Sequence, residues 1–369
     1  MIWLRLAQVP AGTDATIAVR RSSAPPEASP TSRVASDADS RLWNEYVHAH
    51  PEATFFHRFE WSRVLQLAFG HRTHYLLAER NGALVGVVPL AEVRSLLFGH
   101  ALISTPFCVY GGILASDAES FGELERAACA LARRLGVSYL EMRNLKRSHP
   151  EWEVKDLYCT FVRDISSDPE ENLLAIPRKQ RAMVRKGIQK GLISKLESGT
   201  DTLYRMYSES VRNLGTPVFS RRYLEILCRV FGSDAEILTV TNGDQPVSSV
   251  LSFIFKDQVL PYYGGGSAAA RSVAGNDFMY WQVMERARQS GLKVFDYGRS
   301  KHGSGAFDFK RNWGFEPRPL YYEYFLVGAN KMPNLSPTNA KYRAMIRLWQ
   351  RLPLPVANLL GPPIAKYLG

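Results

Sequence analysis

The feature that most constrains this chain is a pattern that occurs twice. Asn81-Gly82 joins two strand-like runs, Arg72–Arg80 and Ala83–Ala91. Asn-Gly suits a type I′ hairpin turn, which needs positive φ at both central residues. A third run, Ala101–Tyr110, ends at Gly111-Gly112. Ser120–Leu135 has helical periodicity with Gly136 as its stop, and Val137–Arg143 reads as another strand. The second half repeats this order. Glu236–Thr241 and Val247–Phe255 flank an Asn242-Gly243 turn, and Gln258–Tyr263 ends at Gly264-Gly265-Gly266. Asn276–Ser290 is the helix, Gly291 its stop, and Leu292–Asp296 the last strand. Ala132-Arg133-x-x-Gly136 and Ala287-Arg288-x-x-Gly291 stand 155 positions apart, and the two Asn-Gly turns 161 apart. A meander followed by a crossover helix predicts an α/β chain, its sheets of the mixed α+β kind and covered by helices, built from one unit used twice.

Length and composition agree with two domains: 369 residues, 46% of them hydrophobic, can fill two cores. The expected division is 1–165, with 21–39 as a Ser/Ala/Pro-rich linker or mobile loop; 166–328, with a basic helix over 177–195; and 329–369, a basic amphipathic helix and tail. Short strands are expected at Ile2–Leu6 and Thr16–Arg20. Asp39–His50 reads as a helix with Leu42, Tyr46 and Val47 inward, and Trp61–Phe69 as another with Trp61, Val64, Leu65 and Ala68 on one face. No apolar run approaches the roughly 18 residues of a membrane span, and the opening apolar stretch is short for a signal peptide. A cytoplasmic location is expected, with a peripheral place at the inner face of the membrane as the possible addition. Cys108, Cys129, Cys159 and Cys228 form no Cys-x-x-Cys pattern and read as reduced thiols. His48/His50 and His71/His74 lack partners at ligand spacing, so no metal is expected.

The net charge of +11 calls for an anionic partner. Arg178, Lys179, Arg181, Arg185, Lys186, Lys190 and Lys195 follow one another with no acid between them, and Arg178, Arg181 and Arg185 share a helical face. Either this is a solvated basic face, or Arg181 and Arg185 bind an anion. Lys341–Gly369 also lacks acids. There Arg343, Arg347 and Arg351 form one stripe, and Tyr342, Met345, Ile346, Trp349 and Leu352 another, with Pro353 and Pro355 as the stop. Such a helix either packs on its own domain or lies on an anionic membrane surface through 341–352.

Chemistry concentrates in Val294–Gly314. A short apolar strand ends on Asp296, glycines at 298, 303 and 305 make a loop, and Phe307, Phe309, Lys310, Arg311 and Trp313 follow. His302 is a candidate proton acceptor because its ordinary pKa is near neutral, with Asp296 and Asp308 as alternatives. Tyr262 and Tyr263, at a strand end, are candidates to shape an acceptor pocket. Gly264, Gly265 and Gly266, then Arg271 and Gly275 before a helix, offer backbone N–H groups that could cradle phosphate.

Asp296-Tyr297-Gly298 followed by Phe309-Lys310-Arg311-Asn312-Trp313-Gly314 resembles the end of the second domain of Fem-type proteins, tandem acyltransferases of the GNAT superfamily. The likeness is nearest to the FemAB-like branch associated with PEP-CTERM/exosortase systems and runs from about Asp37 to about Tyr324. Arg181–Lys186 with Lys190-Gly191 resembles the family's basic helix. The resemblance implies tandem GNAT-like domains and transfer of an acyl or aminoacyl group to an amine of an anionic cell-envelope precursor, in peptidoglycan or exopolysaccharide assembly. Phe309 and Lys310 would fall at the reaction centre, with Lys310, then Arg311, as the cation; Arg299, among the charged residues of the loop before them, is a substrate-binding candidate read from the residues themselves. No cofactor would be permanently bound. The donor would be aminoacyl-tRNA, held by the basic helix, or acyl-CoA; Arg271–Gly275 is one residue longer than the usual GNAT pyrophosphate pattern. No specific DNA partner is implied. The competing expectation is a non-catalytic module that docks an anionic polymer or membrane.

Overall fold

The computed structural model describes residues 28–95, 99–328 and 340–368; the strands expected at Ile2–Leu6 and Thr16–Arg20 lie outside them. In chain order the first elements are β1 (Thr31–Val34), α1 (Ser40–Ala49), α2 (Glu60–Phe69), β2 (Arg72–Thr73), β3 (Leu76–Arg80), β4 (Ala83–Val88), β5 (Leu90–Ser95), β6 (Gly99–Ser104) and β7 (Leu114–Ala115). Then come α3 (Ala118–Leu135), β8 (Tyr139–Asn144), β9 (Glu153–Lys155), β10 (Tyr158–Asp164), α4 (Pro169–Leu174), α5 (Arg178–Gln189), β11 (Ile193–Glu197), α6 (Asp201–Leu214) and α7 (Arg221–Phe231). The rest are β12 (Ala235–Asn242), β13 (Gln245–Phe255), β14 (Gln258–Gly266), α8 (Ala268–Val273), α9 (Gly275–Gln289), β15 (Val294–Asp296), β16 (Ser300–Lys301), α10 (Gly305–Asn312), β17 (Pro317–Pro319), β18 (Tyr321–Leu326), α11 (Ala340–Gln350) and α12 (Leu354–Ala365).

The repeated order holds. β12-β13-β14 is an antiparallel meander, α9 crosses over, and β15 pairs parallel to β14. In the first half β3-β4 and β5-β6 are the hairpins, α3 crosses over, and β8 pairs parallel to β6. Asn81, Gly82 and Gly243 take the positive φ that the hairpin turns require. The halves differ at Pro89. β13 runs unbroken for 11 residues, but the run expected at Ala83–Ala91 divides into β4 and β5, which enter different sheets. Proline has no N–H to give a central ladder, and its carbonyl accepts instead from Thr105 N at 3.0 Å.

Two strands change places. β10 follows the first unit but lies beside β15 in the second sheet, with Val162 opposite Asp296. β18 follows the second unit but lies beside β8 in the first, with Tyr322 opposite Arg143. Their first residues, Tyr158 and Tyr321, stand 163 positions apart, close to the repeat spacing. Each half is thus closed by the other's terminal strand, and no single cut separates two self-contained sheets. The core crosses the halves as well: Phe55 stacks on Phe253 (4.4 Å between centroids) and touches Phe231 (4.6 Å).

Several local expectations change. Part of the presumed linker 21–39 is ordered: β1 pairs with β3, and Arg33 bridges Asp39 and Glu79. In α1, Trp43 and Val47 are buried and Leu42 is exposed. The basic helix ends at Gln189 rather than 195; the chain turns at Gly191, and Lys195 lies in β11. The proline stop after α11 is only a corner, because Pro353 and Pro355 open a further helix, α12, at positions where a missing N–H costs nothing.

Candidate functional site at the seam

The two equivalent strands β8 and β15 deliver equivalent carboxylates, Glu141 and Asp296, to the seam between the halves, both buried. Glu141 accepts from Arg143 Nε at 2.7 Å, and Arg143 Nη1 donates to Cys108 O at 2.7 Å. Asp296 Oδ2 accepts from the hydroxyl of Tyr110, a first-half residue. Its Oδ1 accepts from Gly298 N at 2.8 Å and Thr160 Oγ1 at 3.4 Å. Burial raises the Asp296 carboxyl above its ordinary value, although these donors and the Lys310 charge pull the other way.

Lys310 completes the second-half side of the seam. Ser304 caps α10, accepting from Phe307 N, and the helix carries Lys310 back over the preceding turn. Its ammonium donates to Gly298 O and Arg299 O, both at 3.0 Å. It also lies 5.6 Å from the ring centre of Phe161 and 5.5 Å from that of Tyr297. Burial lowers its pKa to about 8, against the pull of Asp296. Arg299 Nη1 donates to Tyr322 Oη at 2.9 Å, with the guanidinium over Tyr158, and the Tyr322 hydroxyl donates to Val109 O at 2.6 Å. Tyr110 of the first half thus meets Asp296 of the second directly, and Val109 is joined to Arg299 through the Tyr322 hydroxyl.

A cleft of about 380 Å³ opens on the first-half side, where β6 and β8 part after their short parallel pairing. Tyr110, Arg143, Asn144, Gly112 and His57 line it. His57 accepts at Nδ1 from Thr54 N (3.1 Å), and its Nε2 lies 3.2 Å from Gly112 O. Burial lowers its pKa to about 4, so the ring is a neutral structural link. Tyr110 belongs to both places: it lines the cleft and holds Asp296.

The other expected residues divide. Phe309 packs on Tyr280, Tyr297 and Trp313 behind Lys310. Tyr262 borders the seam, its hydroxyl donating to Phe107 O at 2.8 Å. Tyr263 points into the core and shares a hydrogen bond with the Tyr223 hydroxyl at 2.9 Å, so it shapes no pocket. His302 is exposed, with its ring against Phe307, and is not brought to the seam. Arg311 is also exposed, 3.6 Å from Asp308 and over Phe307. Arg181 and Arg185 lie on α5; Arg185 is exposed, and among the described residues neither forms an ion pair.

The glycines expected to cradle phosphate are closed by the protein itself. Gly264–Gly266 continue β14 rather than breaking it. A Cβ at Gly265 would stand 2.5 Å from Met206 O and 2.6 Å from Ser210 Cβ, so glycine here admits α6 against the strand. Gly266 meets the Asn276 side chain and Gly275 meets Val247. Arg271 is exposed on α8. The first turn of α9 already holds an acid, Asp277, which accepts from Gln180 and, at 3.0 Å, from Trp313 Nε1.

Two of the seam's residues carry a trace in the sequence: Glu141 and Asp296 each stand five residues after the glycine that stops the crossover helix, Gly136 or Gly291. Tyr110, Thr160 and Tyr322 had none, because their partners lie far away in the chain.

The fold is thus a mixed α/β unit used twice, with a seam between its copies. Residues 178–311 match the family described as acetyltransferase (GNAT) domain. Among solved structures, the chain is similar to FemX, with 14% identity over 80% of this chain and 97% of that one and a TM-score of 0.61. It is also similar to the C-terminal domain of a putative lysylphosphatidylglycerol synthetase from Agrobacterium fabrum, with 14% identity over 77% and 91% and a TM-score of 0.52. No curated protein matches the sequence. Among the described residues no helix is long and apolar enough to cross a membrane.

Proposed function

We propose that this chain transfers an acyl or aminoacyl group to an amine of a cell-envelope precursor, and that the reaction takes place at the seam. The observation that carries this is the position of Lys310. A half-buried ammonium, with no carboxylate in ion-pair contact among the described residues, is held by two backbone carbonyls on the turn after Asp296, whose hydrogen-bond partner Tyr110 lines the first-half cleft. In such transfer the acceptor nitrogen bonds to the acyl carbon, the ester or thioester bond to the donor breaks, and the proton that the nitrogen loses is matched by one taken up at the departing oxygen or sulfur, which leaves as hydroxyl or thiol. Negative charge gathers on the carbonyl oxygen on the way. An ammonium kept away from bulk water stabilises that oxygen more strongly than one in water. Asp296 suits orientation rather than proton abstraction, because both of its oxygens already accept hydrogen bonds.

Of the two donors, aminoacyl-tRNA fits this chain better than acyl-CoA. The glycines that would take a pyrophosphate lie in β14 or against Val247 and are closed by neighbouring side chains and backbone, whereas Arg181 and Arg185 on α5 are without ion-pair partners among the described residues. The FemX-like fold and the likeness of Phe309–Gly314 to the exosortase-associated branch favour an acceptor in peptidoglycan or exopolysaccharide assembly. The test has two arms. Envelope precursors from deletion and wild-type cells are compared by mass spectrometry, and purified protein is assayed with aminoacyl-tRNA or acyl-CoA on the precursor that changes. An acyl mass lost on deletion and restored by wild type but not by Lys310→Met supports the reading. Restoration by Lys310→Met would favour a non-catalytic docking role.

A further inference from the structure

α12 is inside out for a helix facing water. Its small residues Ala357, Gly361 and Ala365, at i, i+4 and i+8, are the buried ones. A Cβ at Gly361 would lie 2.8 Å from Val218 N, so this face is pressed against the body. The large apolar residues look outward: Leu359 is 75% exposed and Leu360 46%. A surface helix in water has the opposite arrangement. α11 continues the pattern. Its Ile346 packs at Gly215, while Leu348 is 66% and Met345 55% exposed. Leu214, at the end of α6 where α11 packs, is 63% exposed. The helices are pinned in place: His71 Nε2 lies 2.8 Å from Lys366 O, and Gln350 Nε2 donates to Asn213 O at 3.1 Å. The apolar surface is therefore preformed.

We infer that the outer face of α11 and α12 docks on an anionic lipid bilayer. Charge selects this occupant. No acid occurs between Lys341 and Gly369, while Arg347 and Arg351 are exposed beside the leucines. Basic residues bordering an apolar face match a negatively charged lipid surface. Length sets the mode, because 12 residues of helix reach only about 18 Å against a hydrocarbon core of about 30 Å. α12 would lie in the interface without crossing. Of the stripe expected at 343, 347 and 351, Arg347 and Arg351 would thus serve as the electrostatic border, with α12 as the inserting element. This inference is independent of the acyl-transfer reading, since lipid docking can be measured without substrate.

The experiment is co-flotation of the full chain with vesicles of phosphatidylcholine alone or mixed with phosphatidylglycerol. The expected result is binding to the mixed vesicles only, weakened by salt. Leu359→Glu with Leu360→Glu should lower partition by about tenfold or more, and Arg347→Glu with Arg351→Glu should abolish the preference for anionic lipid. Because these side chains are exposed, thermal melts should match wild type and so separate lost docking from lost folding. Absence of binding to the mixed vesicles, or equal partition of wild type and the leucine variant, overturns the inference. So does a solution dimer that Leu359→Glu dissociates, which would make a second copy the occupant.

Discussion

Replacing Lys310 with methionine separates the roles its ammonium could play. Burial moves the group from the ordinary lysine value of 10.5 to about 8, a net bias of roughly 3 kcal/mol against its charged form. Methionine fills a similar channel without charge and removes that cost. It also removes two hydrogen bonds to Gly298 O and Arg299 O, which as bonds from a charged donor contribute about 1.5–3 kcal/mol each. The effects oppose one another at similar size, so Lys310→Met should stay within about 2 kcal/mol of wild-type stability in urea unfolding. Turnover should fall by about 10²–10³ if the ammonium stabilises the oxyanion, with KM little changed. The pH profile checks the assignment. The ammonium is present below about 8, so wild-type turnover should decline as pH rises through that value, and Lys310→Met should lack that limb. The stability contribution runs the other way. The folded pKa lies below the unfolded one, so the unfolded chain holds more protons between about 8 and 10.5, and this group's contribution to stability rises with pH there. Unchanged kcat in Lys310→Met would refute the oxyanion role. A rise in KM alone would reassign the ammonium to substrate binding.

Three further outcomes are expected. Tyr110→Phe removes a donor from buried Asp296 and should cost about 1–3 kcal/mol in urea unfolding; combined with Asp296→Asn the loss should be clearly less than the sum, and strict additivity would deny their coupling. Gly265→Ala forces a Cβ against Met206 O and Ser210, and should destabilise by about 1–3 kcal/mol; a neutral melt would show that the glycine is not held there by packing. Arg181→Glu with Arg185→Glu should weaken binding to tRNA, and the wild-type affinity should drop steeply with salt; a salt-independent affinity would remove α5 from the anion site.

The repeated unit could be read from the sequence because each of its parts is set by near neighbours. Asn81-Gly82 and Asn242-Gly243 supply positive φ where a tight hairpin needs it, and Gly136 and Gly291 take φ of 62° and 75° where helices must stop. The apolar face of α2, Trp61, Val64 and Leu65, follows from spacing alone. Where one local rule competed with another, reading was less secure. Pro89 divided a run that looked continuous, and Pro353 and Pro355, expected only to stop the helix that ends at Gln350, also open the next one.

What tertiary structure decided is which distant groups meet. Glu141 and Asp296 could be picked out as equivalent positions, five residues after Gly136 and Gly291, but not Tyr110 as the partner of Asp296, 186 positions away. Lys310 was legible as a cation in an unusual setting; its contact with Gly298 O and Arg299 O depends on α10, an unanticipated helix. His302, equally eligible by residue type, was left exposed by the same turn. The exchange of β10 and β18 could not be inferred locally, because a strand's residue pattern specifies a buried face, whereas its partner is chosen by the packing of both halves together. The same holds for α12, whose composition suggests leucines inward. Only the close approach to Val218 at Gly361 shows that space beneath the helix admits small residues alone, and this turns the leucines out.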